Sequence, residues 1–208
     1  MIEIKNLCKN IKGNQVLDNI SCCMDAGKVY GIYGRNGSGK TMLMRCILGL
    51  IFADSGYVKI DGCVIGRELD FPKSCGAIIE NPAFFPYASG YENLKMLADI
   101  KKVISENEIR RTMRRVGLDD KDRRAVSKYS LGMKQRLAIA QAVMESPELL
   151  VLDEPTNALD EQGVRVFRDI IREEKRRGAL VVLASHNRED IELLSDVKIQ
   201  MSDGRVEL

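Results

Sequence analysis

Eight residues, Gly34-Arg35-Asn36-Gly37-Ser38-Gly39-Lys40-Thr41, carry the densest chemical signal in this chain of 208 residues. They fit the pattern G-x-x-x-x-G-K-[ST], whose chemistry is the holding of phosphate groups. Gly34, Gly37 and Gly39 let the backbone turn its N–H groups inward around an anion, where a Cβ would obstruct. Lys40 supplies a point charge for the β- and γ-phosphates of a nucleotide, and Thr41 a hydroxyl for Mg²⁺. Asn36, Ser38 and Met42 complete the candidate phosphate-binding stretch, and the helix that should follow adds its positive N-terminal end. A glycine-rich turn before an ordinary helix would account for the glycines, but not for Lys-Thr at this offset.

A second constellation lies downstream. Leu149–Leu152 is a continuous apolar run, as in a strand buried on both faces, and it ends in Asp153 and Glu154. Ligands of open α/β sheets sit at the carboxyl ends of parallel strands. Asp153 is therefore expected to hold Mg²⁺ through water. A solvated strand end is the plain alternative, and the phosphate loop together with the following Pro-Thr-Asn-Ala-Leu-Asp argues against it. Between the two constellations, Ser130 reads as the N-cap of a helix carrying Met133, Leu137, Ala140 and Met144.

The elements that must position these residues can be read coarsely. IEIKNL, VLDNISCCM and KVYGIY alternate with turn signals around Lys12–Asn14 and Ala26–Gly27, which predicts antiparallel ribbons. Thr41–Leu50 reads as the helix after the phosphate loop, and YVKIDGCVI at 57–65 as a hairpin with Asp61–Gly62 as its two-residue turn. In SENEIRRTMRRVGL at 105–118, Ser105 and Glu108 form a capping box, apolar residues recur at helical spacing, and Gly117 closes the C-terminus. Then strand and helix signals alternate: LLVLD, a helix near 161–177, ALVVLAS, a short helix from Arg188, and VKIQM with a terminal hairpin at Ser202–Gly204. Such alternation predicts parallel strands joined by crossover helices.

Composition sets the outer bounds. With 45% hydrophobic and 30% charged residues this is an ordinary globular chain, and a net charge of +2 gives no support to wholesale nucleic-acid binding. No run approaches the roughly 20 apolar residues of a membrane span, and MIEIKNLCKN lacks the apolar region of a signal peptide. Cysteines 8, 22, 23, 46, 63 and 75 form no CxxC pair, and the single histidine is far from them. Buried, reduced thiols are expected rather than disulfides or a zinc site.

Tyr129 to Asp160, YSLGMKQRLAIAQAVMESPELLVLDEPTNALD, together with GRNGSGKT, resembles the ATPases of the ATP-binding-cassette (ABC) family over the whole chain. The resemblance implies an α/β fold: a P-loop NTPase core with a mainly parallel sheet, an N-terminal antiparallel β-subdomain and an inserted helical subdomain. One domain would span 1–208, with 1–81 and 148–208 as the nucleotide-binding core and β-subdomain, and 82–147 as the helical block. It implies ATP and Mg²⁺ as cofactors, Glu154 as the general base polarising the attacking water, and His186 as the switch histidine at the γ-phosphate. Ser130, Gly132 and Met133 would be the signature segment facing ATP held by a second subunit, and Asp160 the D-loop aspartate linking the two sites.

This chain departs from the family pattern at three places. The usual LSGGQ is Tyr129-Ser130-Leu131-Gly132-Met133, and the aromatic that stacks on adenine is replaced by Ile11, six residues before Leu17. The glutamine expected between core and helical block is Glu80, which the resemblance places beside Mg²⁺ or in coupling to a permease. The Glu-Asn-Pro-aromatic run with SLGMKQR is similar to the branch of bacitracin- and lantibiotic-type peptide exporters. Phe84, Phe85, Tyr87 and Tyr91 read either as packing of the helical block or as a groove for a helix of a membrane partner. Arg110, Arg111, Arg114 and Arg115 form a basic face, solvated or turned to anionic lipid.

The implied protein is an ATP-hydrolysing subunit of an ABC transporter. It would pair with a second ATP-binding subunit as a homo- or heterodimer and drive a separate transmembrane permease chain, with no nucleic acid expected. It would work in the cytoplasm, at the inner face of the membrane. A non-transport ABC ATPase acting on nucleic acid or ribosomes, or a nucleotide-sensing regulator, remains the alternative. A membrane protein returned by pull-down, or measured phosphate release, separates them. The Ile11 departure generates a test. Ile11→Tyr should regain about 0.5–1.5 kcal/mol of stacking, a roughly threefold to tenfold tightening of ATP, and should tighten ATP more than tripolyphosphate, which lacks the base. Equal gains for both ligands would show that Ile11 is not beside adenine.

Overall fold

A computed structural model describes residues 1–80 and 83–207. Asn81 and Pro82, part of the Glu-Asn-Pro-aromatic run and the proposed boundary at residue 82, lie outside the described residues.

Two sheets form. β1 (Ile2–Ile11), β2 (Asn14–Met24), β4 (Ser55–Ile60) and β5 (Cys63–Val64) make an antiparallel sheet in the order β2-β1-β4-β5. The Asp61–Gly62 turn between β4 and β5 takes positive φ at both residues, the conformation a two-residue hairpin turn demands. β3 (Val29–Tyr33), β6 (Cys75–Ile78), β7 (Leu149–Asp153), β8 (Leu180–Ala184), β9 (Val197–Ser202) and β10 (Arg205–Glu207) make the second sheet, ordered β10-β9-β3-β8-β7-β6. Every pairing in it is parallel except the terminal β9–β10 hairpin.

The turn at Ala26–Gly27 corrects the sequence reading. It closes no ribbon; it carries the chain from the antiparallel sheet into the middle of the parallel one, where β3 lies between β8 and β9. Nothing local could announce that, because a turn signal fixes a reversal and not the partner of the strand behind it.

The parallel sheet separates two cores. Leu150, Leu152, Val181 and Leu183 face one, shared with α2 (Gly90–Lys101), α3 (Glu106–Arg115), α4 (Leu131–Val143), α5 (Glu161–Arg176) and α6 (Arg188–Leu194). Leu149, Val151, Leu180 and Val182 face the other, shared with the antiparallel sheet and α1 (Lys40–Ile47). Alternate residues of one strand thus serve opposite sides, which is why these strands read as unbroken apolar runs. α1 is shorter than the 41–50 expected, ending at Ile47 before Gly49 at φ 74°. Among the described residues no helix is long and apolar enough to cross a membrane.

The helical block is defined by its caps. α3 begins in the Ser105–Glu108 capping box and ends where Leu118 N–H reaches Met113 O and Gly117 N–H reaches Arg114 O. α2 has a second capping box, Ser89 with Glu92, which the sequence displayed as plainly and the sequence reading passed over. The basic face of α3 is mostly spent within the chain: Arg114 meets Asp120 at 2.8 Å, Arg115 pairs with Glu173 and Glu174 of α5, and Arg110 lies over the Tyr91 ring at 4.1 Å in a cation–π contact. The aromatic cluster divides. Phe84 and Tyr91 pack on the core, whereas Phe85 and Tyr87 are 63% and 92% exposed. All six cysteines are free, but only Cys46 is buried and Cys23 is exposed. Burial pushes the Cys46 and Cys22 thiols up to about 11, which keeps both unreactive near neutral pH.

Glu174 is the firmest polar tie between block and core. It is 3% exposed and accepts both from Arg115 at 3.0 Å and from Arg177 at 2.6 Å. Removing that carboxylate strands two guanidinium groups, though both reach solvent. Glu174→Ala should therefore cost about 1–3 kcal/mol in urea unfolding, while Glu173→Ala, an exposed pair, should cost under about 1 kcal/mol. Equal costs would remove Glu174 from this role.

Candidate functional site

The site is assembled by strand register. Ile32 of β3 is level with Ala184 of β8, and Ala184 with Asp153 of β7, so three adjacent strands end together. Main-chain bonds carry the ladder one step further, from Glu154 N–H to Ala184 O at 2.9 Å and from Ser185 N–H to Ile32 O at 3.4 Å. The loops that leave those ends hold Gly34–Lys40, Asp153–Glu154 and Ser185–His186.

The phosphate loop closes tightly at its two ends. A Cβ at Gly34 would lie 2.1 Å from Met201 O, and one at Gly39 2.7 Å from Val16 O. Gly204 N–H donates to Ser38 O at 3.1 Å, so the β9–β10 turn buttresses the loop from outside. Inside, Lys40 is 6% exposed, and its ammonium donates to Gly34 O at 2.9 Å and Arg35 O at 3.0 Å. These carbonyls are its only hydrogen-bond partners among the described residues, which leaves one of its three N–H groups for an anion. The Ser38 hydroxyl of the same loop is buried with no partner among the described residues. A charged amine and a hydroxyl, both buried and both unfinished, fit a phosphate group.

Thr41 Oγ1 donates to Asp153 Oδ2 at 2.6 Å, joining α1 to the end of β7. This hydroxyl and carboxylate suit Mg²⁺, which takes one or two protein oxygens and completes its octahedron from phosphate and water. Among the described residues no group of three or more His, Cys, Asp or Glu could hold an ion without such help. Glu154 sits at φ 49°, a conformation uncommon for a residue with a side chain. Its Oε1 accepts from His186 N–H at 2.9 Å, and its Oε2 lies 2.6 Å from His186 Nδ1.

A cavity of about 770 Å³ gathers Ile11, Asn36, Gly37, Ser38, Gly39, Lys40, Thr41, Met42, Glu80, Asp153 and Glu154. His186 borders a neighbouring cavity of about 570 Å³, which shares Asn36, Gly37 and Ser38 with the first and also holds Gly34. Ser130, Gly132, Met133 and Asp160 are not among the described residues that line either cavity. Ser130 is exposed at the start of α4, where its Oγ accepts from Met133 N–H at 3.2 Å. Asp160 caps α5: its Oδ1 accepts from Gly163 N–H at 2.7 Å and from Arg136 at 2.7 Å. The Gly163 N–H, and after it Arg136, hold that carboxyl below the usual range.

Sequence reasoning missed Gln135 and Asn157 in the cavity lining. Asn157 stood inside the quoted Pro-Thr-Asn-Ala-Leu-Asp. Gln135 stood inside the quoted Ser-Leu-Gly-Met-Lys-Gln-Arg, but its place in the lining depends on α4 lying against Pro155, whose carbonyl it reaches at 2.8 Å. Glu80 carries a surprise of its own. It borders the cavity with Thr41 and Asp153, yet its carboxylate turns to Arg45 of α1.

Residues 17–157 match the family model described as ABC transporter. The uncharacterized ABC transporter ATP-binding protein YybJ of Bacillus subtilis (strain 168) is 50% identical over 207 residues, covering 100% of this chain and 95% of its own length. The bacitracin transport ATP-binding protein of Enterococcus faecalis is 38% identical over 208 residues, covering 99% of this chain and 68% of its own. A solved ATP-binding subunit of an ABC transporter superposes with a TM-score of 0.89 at 27% identity, covering 100% of this chain and 88% of that one.

The Glu80 geometry sets a test. A carboxylate bordering the Thr41–Asp153 pair adds negative charge where a hard cation would sit. Glu80→Gln should then raise the Mg²⁺ concentration for half-maximal hydrolysis by about twofold to tenfold, about 0.4–1.4 kcal/mol, with metal-free ATP binding unchanged or tighter. An unmoved Mg²⁺ titration at saturating ATP would leave Glu80 with Arg45 and with coupling alone.

Proposed function

The chain belongs to the ABC transporter family as an ATP-binding, ATP-hydrolysing subunit, and on that footing we propose that two such subunits close around two ATP molecules with Mg²⁺ and drive a separate membrane permease, exporting a peptide antibiotic or a related drug. The observation that carries this reading is the level ending of β3, β8 and β7, which sets a phosphate loop, a carboxylate pair and a histidine side by side. The likeness to a bacitracin transport ATP-binding protein supports the class of cargo. Exposed Phe85 and Tyr87, beside the packed Phe84 and Tyr91, support an apolar contact for the permease.

Each residue then has a physical task. Loop N–H groups and the third N–H of Lys40 receive the β- and γ-phosphates, in a cradle whose shape is set before ligand arrives. Thr41 and Asp153 would hold Mg²⁺, which when bound neutralises charge developing on the phosphate oxygens. Glu154 accepts the proton of the attacking water. His186, bonded to both oxygens of that carboxylate, keeps it aimed. Ile11 offers an aliphatic edge to the base. Ser130, exposed at the N-terminus of a helix and away from its own chain's cavity, is available to complete the site of another subunit.

Two variants and one dilution series test the reading. Glu154→Gln should bind ATP as the parent does, lose hydrolysis by roughly 10²–10⁴, and accumulate as an ATP-dependent dimer. Lys40→Ala should lose ATP binding itself. Activity of the isolated parent subunit should rise more than linearly with protein concentration, and reconstitution with its permease should raise the rate of a sluggish subunit. Strict linearity of the isolated subunit contradicts the composite site, and identical ATP binding by the two variants contradicts the separate roles of Lys40 and Glu154.

A further inference from the structure

Arg136 of α4 takes no part in the phosphate chemistry, yet it lies where three elements meet. Its side chain is 15% exposed. One guanidinium nitrogen donates to Val116 O at the end of α3, at 3.1 Å, and the other to Asp160 Oδ1 at the start of α5, at 2.7 Å. The slot is cut to size by missing side chains. A Cβ at Gly117 would stand 2.4 Å from one of those nitrogens, and a Cβ at Gly163 3.1 Å from the other. Asp160 Oδ1 is shared inside its own chain, because it also accepts the Gly163 N–H that opens α5.

We propose that Arg136 is a positioning residue for ATP hydrolysis: it locks the helix that presents Ser130 to the loop between Glu154 and α5, and the Asp160 carboxylate serves hydrolysis through Arg136. α4 begins at Leu131 and carries Arg136 little more than one turn in, so a swing of the guanidinium tilts the very turn that Ser130 caps. The loop between Glu154 and Asp160 is held at one end by His186 and at the other by this clamp. α3 is included through Val116, so the block moves with the loop as one body. The inference rests on the ATPase reading above.

Four variants of the full chain decide it. Asp160→Ser keeps a good N-cap but is too short to meet Arg136. Arg136→Ala removes the clamp, Arg136→Lys keeps only the charge, and Asp160→Ser/Arg136→Ala closes a double-mutant cycle. At one saturating protein concentration, each of the first two should lower kcat by about fivefold to fiftyfold while the KM for ATP moves less than about twofold. The double variant should be no slower than Arg136→Ala, and Arg136→Lys should recover part of the loss. Amide hydrogen exchange of peptides spanning the first turns of α4 and α5 should rise in both single variants and no further in the double one. If Asp160→Ser costs the same factor with Arg136 absent as with it present, the carboxylate acts elsewhere and the proposal falls. A parent that hydrolyses no ATP would instead overturn the ATPase reading, and the exchange cycle would still judge the clamp.

Discussion

A lysine ammonium buried in a loop is the constraint from which the rest of this molecule follows. Taking such a charge out of water costs several kcal/mol unless its N–H groups find oxygen. Lys40 finds two, both main-chain carbonyls of the loop that precedes it. The loop must therefore curl back on its own helix, which forces Gly34 and Gly39 against Met201 O and Val16 O. Those contacts require the antiparallel sheet on one flank and the β9–β10 turn on the other. A single charge thus explains why a phosphate cradle needs both sheets in place around it.

Charge also fastens the helical block. Apolar packing joins α4 to the sheet over a broad face, but the hold on α5 includes two guanidinium groups, Arg115 at Glu174 and Arg136 at Asp160. Hydrogen bonds of this kind fix direction more sharply than apolar contact, which tolerates sliding. The block is in this way greased along its length and pinned at its corners.

Where a signal is local, the sequence displays it. The phosphate loop, the Asp61–Gly62 turn, the Ser105–Glu108 cap and the two-faced strands were all legible, because each is decided within a few residues. What stayed hidden was pairing at a distance. The turn at Ala26–Gly27 could not say that β3 leaves its neighbours for a different sheet. The aromatic run could not say which rings face inward, since Phe84 and Phe85 are adjacent and take opposite fates. Four arginines in one helix look like a basic surface until Asp120, Glu173 and Glu174 arrive from elsewhere in the chain. The site was read as a set of motifs; its mutual bonds, Thr41 to Asp153 and Glu154 to His186, required the register of three strands.

The buttress on the phosphate loop has a consequence for the order in which the protein is made. Gly204 reaches Ser38, Arg205 reaches Asp18 at 2.7 Å, and Met201 stands against Gly34. Translation proceeds from the N-terminus, and early segments fold before later ones emerge. The cradle is thus spelled out early and completed only when residues much later in the chain leave the ribosome. A chain released short of them carries every motif of an ATPase without the wall that shapes its loop. Nascent fragments would in this way be kept from gripping nucleotide, and partners that respond to the nucleotide-loaded form would overlook them.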